Sequence, residues 1–183
     1  MTSSLSPSTT TGLTPQLFAF EVPSSDNLAF IPLSVRFHLD RNGLRISLSD
    51  WQSLPLDVRT RLASYVVEDD DNEAEALIAD IGTSEPSRND AAFAAELTAW
   101  MMQYVGHLPD TETPPSSMPG EDIAIVPEGV NHQCVLAGVP AVATNDWVRL
   151  NRFQRYALAK LSRKTSENHD FLPAMKEFGL VPQ

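Results

Sequence analysis

Apolar residues recur along this chain with two different periods. Between Asn89 and Gly106, Phe93, Leu97, Trp100, Met101 and Tyr104 fall three or four apart, the spacing that lines one face of an α-helix. Asn89 and Asp90 supply a polar start, Gly106 stands where a left-handed cap belongs, and Pro109 blocks continuation. The aromatic stripe of this helix is read as core, because left bare it would exceed the patch a soluble monomer exposes. Leu33, Val35, Phe37 and Leu39, by contrast, alternate with Ser34, Arg36, His38 and Asp40 ahead of Asn42-Gly43. Read alone, that segment is a strand entering a hairpin turn.

An internal repeat decides the conflict. Pro32–Ala63 lies over Pro127–Ala159 with one extra residue in the second copy. It matches Pro32 with Pro127, Val35 with Val130 and Gly43 with Gly138, then Asp50, Trp51, Leu54, Arg59, Leu62 and Ala63 with Asp146, Trp147, Leu150, Arg155, Leu158 and Ala159. In the second copy Val130, Cys134 and Ala137 keep helical spacing, so the first copy is read as helix too. Proline suits the start of such a helix and glycine its end. A short extended piece follows, Leu44–Leu48 or Val139–Ala143. A second helix is then introduced by Ser49 or by Thr144-Asn145 and a tryptophan, with Ser49 and Gln52 forming a capping box. Trp51 and Trp147 are read as core anchors.

The expected fold is therefore mainly α, with two related helix–extended–helix units (32–63 and 127–159) forming one small helical domain over residues 17–183. The two extended pieces are expected to pair as a short two-stranded β ribbon. In the second unit Leu150, Phe153, Ala157, Leu158 and Leu161 share one side, while Arg149, Arg152, Lys160 and Arg163 form a basic outer face.

Composition adds boundaries. Residues 1–16 hold nine Ser or Thr and no charge, too little apolar surface to offset the entropy of ordering, and are read as a disordered tail. A transit peptide is disfavoured because the first basic residue is Arg36. Residues 68–75 form an acidic insert in which Asn72 can cap a short helix. A calcium loop starting at Asp69 fails there, having Ala74 and Ala76 at its sixth and eighth positions. Residues 108–122, with Pro109, Pro114, Pro115 and Pro119, read as a Pro-rich linker or extended surface loop.

The net charge of −11 is unevenly spread: residues 1–64 are neutral, 65–145 carry −14 and 146–183 carry +3. Nucleic acid is thus disfavoured as a partner except through the basic C-terminal helix. No apolar run approaches the roughly eighteen residues of a membrane span and no secretory signal is present, so a cytoplasmic location is expected. The lone Cys134 fits a reducing compartment.

Chemistry is sparse. No phosphate loop, dinucleotide fingerprint, nucleophile elbow or paired-histidine zinc motif occurs, and His38, His107, His132 and His169 are scattered. His132 with Cys134 offers only two ligands, short of the four of a structural zinc site. No catalytic residue, metal site or bound cofactor is nominated. The strings from Ile31 to Gln52 (IPLSVRFHLDRNGLRISLSDWQ) and from Phe153 to Leu180 (FQRYALAKLSRKTSENHDFLPAMKEFGL) resemble the two ends of the conserved nitrate reductase-associated protein family.

That family is known from cyanobacteria and other bacteria, near nitrate reductase and molybdopterin biosynthesis genes, and has no agreed activity. The resemblance implies a role in making active assimilatory nitrate reductase, an enzyme with molybdenum cofactor and iron–sulfur chemistry. It points to a non-catalytic assembly factor whose partner is nitrate reductase or a molybdenum-cofactor protein. The acidic insert, the Pro-rich linker and the Ser/Thr tail look like additions to a shorter family core. Candidate contact residues in the second string are Arg155, Lys160, Arg163, Asn168, Phe171 and Lys176. The competing structural roles are packing of Phe171 with Phe178 and capping of the last helix by Asn168 or Asp170. A DNA-binding regulator, or a small-molecule or cofactor-binding protein of nitrate assimilation, is the alternative.

Overall fold

Pro32 and Pro127 introduce equivalent helices of nine residues each. The computed structural model of the chain describes residues 13–24, 26–68 and 88–182. Among them the α-helices are α1 (Leu33–Arg41), α2 (Leu48–Ser53), α3 (Leu56–Ala63), α4 (Arg88–Tyr104), α5 (Glu128–Leu136), α6 (Thr144–Arg149), α7 (Arg152–Leu161) and α8 (Phe171–Glu177). Two short strands, β1 (Leu44–Arg45) and β2 (Asp110–Thr111), and two 3₁₀ turns, Ala19–Ser24 and Asp26–Leu28, complete the set. None of the described helices is long and apolar enough to cross a membrane. Of the tail read over residues 1–16, residues 1–12 lie outside the described residues, as does the acidic stretch beyond Glu68.

The segment that alternates like a strand is helix α1, and its burial explains the pattern. Val35 and Leu39 face one apolar cluster with Trp51 and Leu62, whereas Leu33 and Phe37 face another with Phe153, Tyr156 and Ala157. A helix buried on two sides carries apolar residues on both, which removes the single-stripe signature.

The second helix expected in each unit is two helices. Leu54 (φ −71, ψ 140) and Leu150 (φ −70, ψ 143) are extended, and α3 and α7 start afresh beyond them. The capping box also sits elsewhere than expected. Ser47 accepts from the Asp50 amide and Asp50 from the Ser47 amide, each at 3.0 Å, so Ser49 lies inside α2 and Gln52 donates to the Ala29 carbonyl. In the second unit Thr144 and Asn145 lie inside α6, whose N-cap Ala143 has no side-chain bond. The capping box there is Asn151 with Gln154, at the start of α7.

Each unit is closed by a further helix. Phe93, Leu97 and Met101 of α4 cover Val35, Leu39, Trp51 and Leu62, while Phe171, Ala174 and Met175 of α8 cover Val130, Cys134, Trp147 and Leu158. Both tryptophans are fully buried and satisfy their indole N–H on a carbonyl, Trp51 on Leu28 at 2.7 Å and Trp147 on Asp122 at 3.0 Å. Between the units runs a seam in which Phe18 stacks on Phe153 at 4.4 Å, and Phe37 meets Tyr156 edge-on.

The ribbon exists with a different partner. β1 pairs antiparallel with β2, Leu44 opposite Thr111 and Arg45 opposite Asp110, and the Glu112 amide donates to the Gly43 carbonyl. At the position matching Arg45 the second extended piece carries Pro140, which offers one ladder donor fewer, and it forms no strand. Residues 108–122 therefore strap both units. Beyond β2 the strap buries Met118 in the seam, and its Gly120 carbonyl accepts from Arg155 Nε at 3.1 Å. Gly120 sits at φ +75 with Arg155 so close that a Cβ would fall 2.5 Å from the Arg155 carbonyl oxygen.

Candidate functional site

Where α1, α7, the α7–α8 connection and the first 3₁₀ turn converge, the seam opens into a cavity of about 350 Å³. Its floor and rim are apolar, from Phe20, Phe30, Ile31, Leu33 and Leu161, and its polar groups are Glu21, Arg36, Lys160, Asn168 and Asp170.

Each polar residue is positioned by local structure. Pro32 cannot cap α1 with a side chain, and Glu21 does so from the 3₁₀ turn, accepting from the Leu33 amide at 2.9 Å and the Phe18 amide at 3.1 Å. Burial raises the Glu21 pKa, and these amides together with Arg36 pull it back. The turn is itself held by Glu177, which accepts from the Ala19 and Phe20 amides at 2.9 Å each. Arg36 is anchored through Nε on the Ile31 carbonyl at 3.0 Å. Asn168 joins the connection to α7 and α8: its Nδ2 donates to the Leu161 carbonyl and its Oδ1 accepts from the Asp170 amide.

Behind the cavity, Asp40 Oδ2 accepts from Lys160 Nζ at 2.5 Å and from the Tyr156 hydroxyl at 2.9 Å. Burial lowers the Lys160 pKa against the pull of Asp40. Burial, reinforced by Asp40, raises the Tyr156 phenol well above its ordinary value.

A second polar cluster is fully enclosed. His38 Nδ1 lies 2.7 Å from Asp90 Oδ1 and His38 Nε2 lies 3.2 Å from the Tyr65 carbonyl, so both ring nitrogens face acceptors. Arg41 Nε reaches the other Asp90 oxygen at 3.4 Å, and the ring stacks on Phe93. The repeat places Gln133 where His38 stands, and Gln133 is also buried. Its Nε2 donates to the Lys164 and Ser166 carbonyls and its Oε1 accepts from the Asn168 amide. Both are pins between the first helix of a unit and the chain leading into its closing helix.

Of the six contact residues nominated from sequence, Lys160 and Asn168 line the cavity. Arg163 is exposed at the end of α7, close enough that its charge acts on Lys160 and Tyr156. Lys176 is exposed on α8. Phe171 is fully buried, and Arg155 is turned inward to the Gly120 and Leu150 carbonyls. The basic face is partly consumed inside the fold, since Arg152 lies over the Phe37 ring and 3.6 Å from Glu121, and Lys160 is held by Asp40. Cys134 is buried against Met175 and His132 is exposed; among the described residues no three metal-binding side chains gather.

Glu21, Arg36 and Asp40 carry no site signal in the sequence, and Asp170 reads there only as a helix cap. The two strings that carry the resemblance meet at this cavity, Ile31, Leu33 and Arg36 from the first, and Lys160, Leu161, Asn168 and Asp170 from the second. The model of a family described as conserved nitrate reductase-associated protein matches residues 17–178. No curated protein and no solved structure matches the chain.

Proposed function

The chain belongs to the conserved nitrate reductase-associated protein family, and from that membership we propose that it is a non-catalytic accessory factor for assimilatory nitrate reductase. It acts in the cytoplasm, in maturation or cofactor insertion, through contact with nitrate reductase or a molybdenum-cofactor protein. The observation that carries the reading is the convergence of both resemblance strings on one open seam, with Lys160 and Asn168 in its wall and Arg163 close by. Arg163 and Lys176 are the nominated cations left outward, so they are the contact residues of choice, while Arg155 and Phe171 hold the scaffold beneath. Nucleic acid is a poor partner for a chain of net charge −11.

The test is affinity capture of the tagged chain from its host grown on nitrate, alongside an Arg163→Glu/Lys176→Glu variant. Nitrate reductase or a molybdenum-cofactor protein should be retained by the parent and lost by the variant at unchanged thermal midpoint. Undiminished capture by the variant rejects this face, and capture of neither partner by the parent rejects the reading. The cavity volume, about 350 Å³ with charged groups beside apolar ones, favours a second reading in which the chain binds a small molecule.

A further inference from the structure

The charged groups around the seam cavity are unequally engaged. Lys160 is committed to Asp40, and Glu21 to the amides that start α1. Arg36 uses only Nε, on the Ile31 carbonyl, and among the described residues no carboxylate lies within salt-bridge reach of its remaining nitrogens. Asp170 occupies the N-cap position of α8 yet makes no side-chain cap bond; its amide is spent on Asn168 while its carboxylate has no partner among the described residues. The cavity thus presents a cation from α1 and an anion from the head of α8 that form no ion pair with each other, and the charge of each acts on the Glu21 carboxylate beside them. Ile31, Leu33 and Leu161 line the same cavity, and Phe30, also in its wall, has 58% of its surface exposed.

We propose that this cavity binds one free α-amino acid with an apolar side chain, its carboxylate on Arg36, its ammonium on Asp170 and its side chain against Phe30 and Leu161. A simple anion would leave the Asp170 carboxylate facing a like charge, and a simple cation would meet Arg36. A dipolar ligand satisfies both, and charge-assisted bonds of this kind are the strong ones. Size points the same way: about 350 Å³ is at the low end of ligand pockets and suits a single residue. The apolar floor selects a side chain that covers it and removes Phe30 from water. The inference goes beyond the accessory-factor reading and stands or falls without a protein partner.

Calorimetric titration of the purified full chain tests it, with L-phenylalanine, L-leucine, L-isoleucine, L-valine and L-methionine as probes. Phenylpropionate and phenethylamine, which lack the ammonium and the carboxylate respectively, complete the set. At least one amino acid should saturate with one molecule per chain, and removing either charged group should weaken binding about tenfold or more. Arg36→Met and Asp170→Asn should each do the same, while Arg149→Ala should change nothing. Asp170→Asn lies on an exposed residue and serves if Arg36→Met disturbs α1. Absence of saturation by every amino acid up to about 10 mM overturns the proposal, as does an analogue that binds as well as its parent. Because no partner is present, this outcome is independent of the capture experiment.

Discussion

Asp90→Ala should be among the most damaging single substitutions in this protein. Asp90 is 3% exposed and His38 1% exposed, with 2.7 Å between Nδ1 and Oδ1 and Arg41 Nε at 3.4 Å from the other oxygen. Removing the carboxylate takes the acceptor from His38 Nδ1 and from Arg41 Nε, beside the rings of Phe93 and Phe37. Leaving a buried donor without its acceptor in this way costs about 1–3 kcal/mol, against a whole-protein stability of about 5–15 kcal/mol. At this chain length that corresponds to a fall in thermal midpoint of roughly 2–12 °C. His38→Leu alone should also destabilise, since Asp90 then loses its shortest side-chain contact, the one at 2.7 Å. The double variant removes both members and should cost less than the sum of the two singles, with a coupling of at least about 1.5 kcal/mol. Urea titrations followed by the fluorescence of Trp51, Trp100 and Trp147 give all four corners of the cycle. Additivity within about 0.5 kcal/mol would refute the pairing.

Gly43 and Gly138 are matched by the repeat and both are left-handed, at φ +59 and φ +67, so alanine at either incurs about 1–2 kcal/mol of backbone strain. A Cβ at Gly43 would also fall 2.3 Å from the Glu112 carbonyl oxygen whereas Gly138 is open, so Gly43→Ala should lose clearly more in denaturant midpoint; equal losses would contradict the ribbon. Tyr156→Phe should cost about 1 kcal/mol near neutral pH by deleting the bond to Asp40. Because the folded phenol titrates above the unfolded one, its stabilisation is intact below about pH 10 and lost as pH rises beyond it. The gap between parent and variant should therefore narrow on the alkaline side, and a constant gap to pH 11 or so would exclude a raised phenol. Glu177→Ala should accelerate hydrogen exchange at the Ala19 and Phe20 amides, and unchanged protection there would show the contact is dispensable.

Helix α4 and the repeat could be read from sequence because their signals are local: apolar spacing, a glycine cap and matched tryptophans. Helix α1 needed the repeat, since burial on two sides gave it the alternation of a strand. The break between α3 and its predecessor was written in Leu54-Pro55, where a proline biases the preceding residue away from helix. Its counterpart was written in Asn151 and Gln154, a capping box hidden inside what looked like one amphipathic run. The ribbon's mate could not be read, because a two-residue strand in a Pro-rich segment is set by the path of the chain over the core. Pro140 was the sign that the second extended piece would not pair.

The site was half legible. Amphipathicity tells which side of α7 is polar, but not that Asp40, 120 residues away in sequence, sits across from Lys160 and spends its charge. For the same reason Arg155 looked like a surface cation when its donors satisfy carbonyls of the strap and of the α6–α7 break. Asp170 looked like a helix cap and stands at the N-cap of α8, yet its side chain makes no cap bond.

The Glu177 tie bears on how the protein is made as well as on how it stands. Amides 19 and 20 emerge from the ribosome long before the residue that holds them, which follows 158 and 157 positions later. Until it arrives, the turn that presents Glu21 to the start of α1 has lost its anchor. The early half of the seam must then wait, with Phe18 and Phe20 unprotected, for Glu177 to be synthesised. A nascent chain interrupted before that point is thus marked by an aromatic segment that the folded chain partly buries, a distinction that proteolysis and chaperones can act on.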